Sequence, residues 1–404
     1  APRAPRHGAR FGPEARGHFL LEDGFTFLNH GAFGATLRGA AESKRRWTEH
    51  IEAQPVRFLD RELFPHLVHV SRGLAELLEC EPQELMPMPS ATAALNTVLR
   101  SWQRRFSPGP GHRAACLSVS YGSNKKLLGR LAAETGLQVD EAAVDFPLKC
   151  AGSVLRSLEG ALRADTSLVL LDAVPSNAPL VLPLEEAVAV CRRRSPNALV
   201  VVDGAHCLGG VPVSLRRPPG DIFVSNCHKW FCGPKGTAVL HVPERHQEWI
   251  EPLVISHGFG SDFASGFYWS GLSDFSSWLA LDAVLAFWGG RAGLEAAQLY
   301  CRSLAGDAAG MLAEAWRTGR GFPAELTGPM ALVELPHLPG LGEAGTAWRY
   351  EHAEVVQNAL FQRRIEVPVK ALSGRLYVRI SAHIYNHLGE YERLRDAVLA
   401  LAGG

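Results

Sequence analysis

SLVLLDA at Ser167–Ala173, PLEEAVAVCRRR at Pro183–Arg194 and ALVVVD at Ala198–Asp203 decide the fold of this chain. The first and third are short, near-continuous apolar runs, and each runs into an aspartate, Asp172 or Asp203. The middle stretch is an amphipathic helix with Glu185 and Glu186 first and Arg192–Arg194 last, the charge order a helix dipole favours. DIFVS at Asp221–Ser225 and GTAVLHV at Gly236–Val242 add two more strand candidates. Strands apolar on both faces, alternating with helices from about Thr92 to Val242, predict an α/β fold with a mainly parallel central sheet and helices on both faces.

Outward from that block the pattern changes. Pro329–Leu335, Ile365–Lys370 and Leu376–Ser381 look like strands, and Trp348–Arg364 and Gly389–Ala402 like helices, which together predict a smaller C-terminal α+β domain. Pro336–Gly345, rich in Gly and Pro, reads as a loop. A length of 404 residues exceeds what one hydrophobic core usually serves, so two domains are expected. The first 16 residues carry Arg3, Arg6, Arg10 and Arg16 against Glu14; without serine and with frequent proline, they read as a disordered tail rather than a transit peptide.

Composition excludes several classes. With 41 basic and 41 acidic residues there is no net charge to draw nucleic acid. No apolar run of membrane-spanning length occurs. Eight scattered cysteines (Cys80, Cys116, Cys150, Cys191, Cys207, Cys227, Cys232 and Cys301) suit neither a disulfide scaffold nor paired zinc ligands. They fit reduced thiols in a reducing compartment, the cytoplasm.

Three places carry chemistry. SNCHKW at Ser225–Trp230 follows a strand and precedes Gly233-Pro234-Lys235-Gly236. A lysine at the carboxyl end of a parallel strand sits where such sheets bind ligands, and burial would free its amine to condense with an aldehyde. Taken alone, a His-Lys pair is more often a polar loop. Asp203-Gly204-Ala205-His206 ends the most apolar strand: Asp203 either caps a turn or pairs with a protonated heterocyclic nitrogen, and His206 would point the same way. SATAALN at Ser90–Asn96 starts a Ser-capped helix, whose free amides suit a phosphate, although most such helices bind nothing. An aldehyde, a basic aromatic nitrogen and a phosphate are the three groups of pyridoxal 5'-phosphate.

At these residues the chain resembles the class V aminotransferase family of pyridoxal-phosphate enzymes, fold type I. Within it the chain is most similar to the branch of isopenicillin N epimerases and L-cysteine desulfhydrases. The likeness runs from Phe27 to Leu401 and includes LNHGAFG at Leu28–Gly34, QPVRF at Gln54–Phe58 and YVRIS at Tyr377–Ser381, leading to Ile384-Tyr385-Asn386. It implies a tail over 1–26, a large cofactor-binding domain over 27–290, and a small α+β domain over 291–404 with help from the N-terminal segment. It implies that Lys229 holds the cofactor as a Schiff base, that Asp203 pairs with the ring nitrogen, and that His206 lies near the ring oxygen. Ala91, Thr92, Ser225 and His228 match the phosphate cradle. Tyr121 matches the aromatic stacked on the ring, the alternative being a half-buried core residue; Ser176 matches the loop at the ring's other edge. Arg379 is the candidate for the substrate carboxylate, or else part of an ion pair. Asn29 and His30 either line the substrate entrance or are turn residues. A homodimer is implied as well.

One departure stands out. Where the family carries Trp-x-Gly-Thr-Arg-Asp, whose threonine reaches the partner's phosphate, this chain has WSGLSD at Trp269–Asp274, with Leu272 for the threonine. A lost hydrogen bond to a charged acceptor costs roughly 1.5–3 kcal/mol.

The resemblance tips the reaction towards β-elimination on a cysteine-type amino acid, which needs one base, ahead of epimerisation, which needs two, and transamination. A persulfide-forming mechanism is disfavoured because no cysteine follows Cys301. Two other classes compete: a non-catalytic protein on the same fold, supported by Leu272 alone, and a metal hydrolase using His228, Cys227 and Cys232, whose spacing fits no usual zinc pattern.

Overall fold

A computed structural model describes residues 11–343 and 346–403. Among the described residues, twelve strands form three sheets. The central one contains β2 (Leu85–Met88), β3 (Arg113–Leu117), β4 (Gln138–Ala142), β5 (Thr166–Asp172), β6 (Leu199–Asp203), β7 (Ile222–Asn226) and β8 (Ala238–His241). Their order is β2-β8-β7-β6-β5-β3-β4, and every neighbouring pair is parallel except the two that β8 makes. The expected architecture is therefore present, with one reversed strand. β5, β6 and β7 are buried almost throughout because helices cover both faces of the sheet. The helix Leu184–Arg194 crosses between β5 and β6, and Arg192 near its end binds Asp221 at 2.7 Å.

A second sheet, β11 (Val369–Leu372), β12 (Arg375–Ser381) and β9 (Met330–Glu334), is antiparallel. It packs on the helices Arg291–Trp316, Tyr350–Phe361 and Leu388–Leu401. The run Ile365–Lys370 is not one strand but two, broken at Val367-Pro368. Pro368 has no N–H for a ladder, yet its carbonyl accepts from Arg379 N at 2.9 Å, so the chain is still held beside β12. Of the expected loop Pro336–Gly345, Pro339–Leu341 form a short 3-10 turn and residues 344–345 lie outside the described residues.

The N-terminal segment departs most from expectation. The first ten residues lie outside the described ones, but from Phe11 on the chain is packed rather than disordered. Gly12 N donates to Ile384 O at 2.7 Å, Pro13–His18 form a 3-10 helix, and Ala15 and Phe19 are buried. Phe19 lies edge-on to Tyr385 and His383. Apolar anchors at those positions outweigh an Arg- and Pro-rich composition. The segment then pairs, as β1 (Thr26–Phe27), in parallel with β10 (Ile365–Glu366). Among the described residues no helix is long and apolar enough to cross a membrane.

Candidate active site

β7 ends at Asn226, and the turn that follows puts Lys229 at the carboxyl end of the parallel strands, where open α/β sheets gather ligands. Its Nζ lies 3.0 Å from His206 Nε2. Burial pulls the amine down to about 8, opposed by the charge of Asp203 and reinforced by Arg379. The lysine's backbone is fixed from the N-terminal segment. His30 Nε2–H donates to Lys229 O at 3.1 Å while its Nδ1 accepts from the Tyr385 hydroxyl at 2.8 Å. Gly34, at φ +69°, passes so close that a Cβ there would lie 2.1 Å from His228 O. No other residue fits that crossing.

Asp203 ends β6, and its register partner on β5 is Asp172. Asn124 Nδ2 donates to both, at 2.9 Å to Asp172 and 2.6 Å to Asp203. Tyr121 N donates to Asp172 at 3.0 Å and Ala205 N to Asp203 at 2.9 Å. Burial, then the neighbouring Asp203 charge, pushes the Asp172 carboxyl upward. The pair thus favours one negative charge, framed by N–H donors and suited to a protonated ring nitrogen.

Both groups open onto one cleft. The helix Ala91–Phe106 starts at its rim. Ser90 Oγ caps it by accepting from Ala93 N at 3.1 Å, and Asn226 Oδ1 accepts from Ala91 N at 2.9 Å. The Ala91 amide is therefore already engaged, and Thr92 beside it is the better phosphate donor. His228 Nδ1–H donates to Thr237 O at 3.1 Å, which leaves Nε2 available; burial lowers this imidazole to about 4. Ser225 does not join them. Strand alternation turns its hydroxyl the other way, where it donates to Gly204 O at 2.6 Å and accepts from Leu208 N at 3.1 Å.

At the other end lies Arg379, in mid-strand on β12 and buried. Its Nη1 donates to Ser176 O at 2.6 Å and Ser176 Oγ at 3.1 Å, and its Nη2 to Asn29 Oδ1 at 2.8 Å. Asn29 in turn donates to Glu366 at 2.8 Å. No carboxylate pairs with Arg379 among the described residues, and its Nε has no hydrogen-bond partner. Burial lowers it to about 10. No ion pair therefore accounts for it among the described residues, and a buried cation held only by neutral oxygens could take an anion.

The fold thus gathers Lys229, Asp203, His206, His228, Ala91, Thr92, Tyr121 and Ser176 around one cleft, with Arg379 and Asn29 joined to it through Ser176. Tyr121 is 45% exposed on the wall, not a core residue. His30 lines no entrance; it is fully buried under Lys229 and stacks on His383 at 4.0 Å. Composition gave no hint of Asn124, Asn226 or Trp230. Asp172 had a signal in the matching aspartates that end SLVLLDA and ALVVVD. His228, Cys227 and Cys232 form no metal-like cluster; among the described residues His30, Cys232 and His383 do approach one another within 4.8 Å, but both His30 nitrogens already have partners.

The sequence profile of the family "Aminotransferase class-V" matches residues 66–315. The chain is 31% identical to "Putative L-cysteine desulfhydrase 1" of Oryza sativa subsp. japonica, over 98% of this chain and 86% of the relative. It is 29% identical to "Isopenicillin N epimerase" of Streptomyces clavuligerus, over 96% of this chain and 98% of that one. Among solved structures, the cystine C–S lyase C-DES in complex with cysteine persulfide superposes with a TM-score of 0.78 at 19% identity, covering 94% of this chain and 98% of that one. The apo cysteine desulfurase of Thermococcus onnurineus superposes with a TM-score of 0.79, also at 19% identity, with 100% of both chains covered.

Proposed function

The chain belongs to the class V aminotransferase family, and from that premise we propose that it is a pyridoxal-phosphate enzyme that cleaves the C–S bond of cysteine or a cysteine-type amino acid by β-elimination. One observation carries the reading: an amine at Lys229, a carboxylate at Asp203 and a helix N-terminus at Thr92 open onto the same cleft. These residues fit the cofactor's aldehyde, ring nitrogen and phosphate, with His206 beside the ring and His228 beside the phosphate. When bound, pyridoxal phosphate supplies an aldehyde to trap the substrate amine and a protonated ring to take up the electron pair left at Cα.

The chain's own residues do the rest. Arg379 holds the α-carboxylate through parallel hydrogen bonds, and Ser176 and Asn29 fix its guanidinium in place. Lys229, already lowered towards neutrality, removes the Cα proton. Sulfur leaves from Cβ as a thiol, and the released enamine hydrolyses to pyruvate and ammonia. Lys229 suffices as the one base. Epimerisation would need a second base: Asp172, Asp203 and His206 are held in hydrogen bonds of their own, and His228, whose Nε2 is free, stands beside the phosphate site rather than the substrate. Among the described residues the cleft wall includes no cysteine; Cys207, Cys227 and Cys232 are fully enclosed, with thiols pushed upward by burial. That favours direct elimination over sulfur relay through a protein persulfide.

The same reading divides the chain into a large domain over 27–290 and a small one over 291–404, and makes the protein a cytoplasmic homodimer. Leu272 and Phe33, each 74% exposed, and the exposed apolar run Leu253–Ile255 leave apolar surface that supports the pairing of two copies. Purified protein with pyridoxal phosphate, offered a panel of amino acids, tests the reaction. Pyruvate and ammonia from cysteine or its S-conjugates are expected; a racemised substrate, or a keto acid formed together with the amine form of the cofactor, would refute elimination.

A further inference from the structure

We propose that Trp230 is a positioning residue: its indole fixes which nitrogen of His206 carries the proton, and His206 thereby holds the Lys229 amine in its uncharged form. The inference rests on Lys229 being the cofactor lysine for its use in the reaction, but not for its geometry.

An indole N–H can only donate. Trp230 Nε1–H points at His206 Nδ1 across 3.1 Å, so Nδ1 must be bare. A neutral imidazole has one ring proton, which then sits on Nε2. His206 is neutral, because burial first, and then the cations Lys229 and Arg379 and the imidazoles His30 and His228, all disfavour its charged form. Its Nε2–H therefore faces Lys229 Nζ at 3.0 Å as a donor. An ammonium there would set donor against donor. The amine must accept, and only an uncharged amine has a lone pair to accept with. The other groups facing Lys229 are Asp203 and Asp172, which favour its charge, and Arg379, which opposes it. The relay tips that balance towards the free base.

Trp230 is built to hold its direction. It is fully buried and lies 4.9 Å from the His30 ring. On its other side the chain passes so close that a Cβ at Gly210 would fall 2.9 Å from the indole Cγ. A wrong tautomer would set Trp230 N–H against His206 Nδ1–H inside the protein, where an unpaired donor is costly.

The test reads protons rather than turnover. Long-range 1H–15N spectra of the cofactor-free, 15N-histidine-labelled protein, with the His206 signals identified by their loss in His206→Gln, are expected to show the Nε2–H tautomer. A Trp230→Phe variant should lose that single tautomer, and its visible-absorbance capture of pyridoxal phosphate should move about one pH unit higher, a tenfold loss of free amine at a given pH. An Nδ1–H tautomer in the unaltered protein overturns the proposal, whatever becomes of the variant. So does a Trp230→Phe protein with both tautomer and pH midpoint unchanged. Failure of the unaltered protein to capture the cofactor at any pH would count against the cofactor reading alone, and the tautomer spectrum would still decide the relay.

Discussion

Replacing Arg379 with methionine separates binding from folding. Burial holds the guanidinium at about 10 against an ordinary 12.5, so keeping it charged inside the protein costs about 3 kcal/mol. Its hydrogen bonds to Ser176 O, Ser176 Oγ and Asn29 Oδ1, donated by a charged group, return about 1.5–3 kcal/mol each. The bonds outweigh the burial cost, and methionine removes both while filling much of the same volume. Stability in a denaturant titration should fall by about 1.5–6 kcal/mol. Activity should fall as well. Two hydrogen bonds to a substrate carboxylate are worth about 3–6 kcal/mol together, or 10²–10⁴-fold in kcat/KM. Because they hold substrate and transition state alike, most of the loss should fall on KM. The assay compares a cysteine S-conjugate with the matching cysteamine conjugate, which has no carboxylate. The unaltered enzyme should prefer the first by that factor, and Arg379→Met should lose the preference. A variant that keeps the preference, or loses under tenfold in kcat/KM, would refute the assignment.

Other outcomes follow from the same geometry. Lys229→Ala should abolish the visible absorbance gained with pyridoxal phosphate while leaving the far-ultraviolet circular dichroism unchanged; a coloured variant would place the reactive amine elsewhere. Asp172 has a carboxyl raised by burial and by Asp203, so the folded state keeps a proton that the unfolded chain has lost. Stability contributed there is fully present below the ordinary carboxyl range and declines as pH rises towards the folded value. Asp172→Asn should therefore stabilise the protein more at pH 8 than at pH 4, and a gain independent of pH would contradict the paired-acid account. His228 is lowered to about 4 and already uses its Nδ1 proton on Thr237, so it can donate to a phosphate only after taking up a second proton. Calorimetry of inorganic phosphate binding at pH 6.5, in buffers of differing ionisation enthalpy, should show more proton uptake by the unaltered protein than by His228→Gln; equal uptake would exclude His228 as a charged ligand.

Much of this is legible in the amino-acid sequence alone. β5, β6 and β7 announce themselves because strands covered on both faces must be apolar throughout, and their carboxyl ends place Asp203 and Lys229. Residues whose role lies in a side chain's direction were harder to read. Ser225 and Asn226 are neighbours in sequence, yet strand alternation sends only Asn226 towards the cleft. His30 resembles an entrance residue until the helix at His30–Phe33 tucks it beneath Lys229. Asn124 was invisible because its importance arises from two aspartates on different strands. The docking of Phe11–Phe27 depends on contacts with residues far along the chain, among them Gly12 N to Ile384 O, Phe19 on Tyr385 and β1 on β10, which no local pattern records.

That last arrangement has a consequence for biosynthesis. β1 leaves the ribosome well before its partner β10 and the arginine that Asn29 braces. The nascent chain must therefore carry that strand unpaired until β10 has been made. If Arg379 takes the substrate carboxylate as proposed, that site is complete only once β12 has joined the segment that holds Asn29.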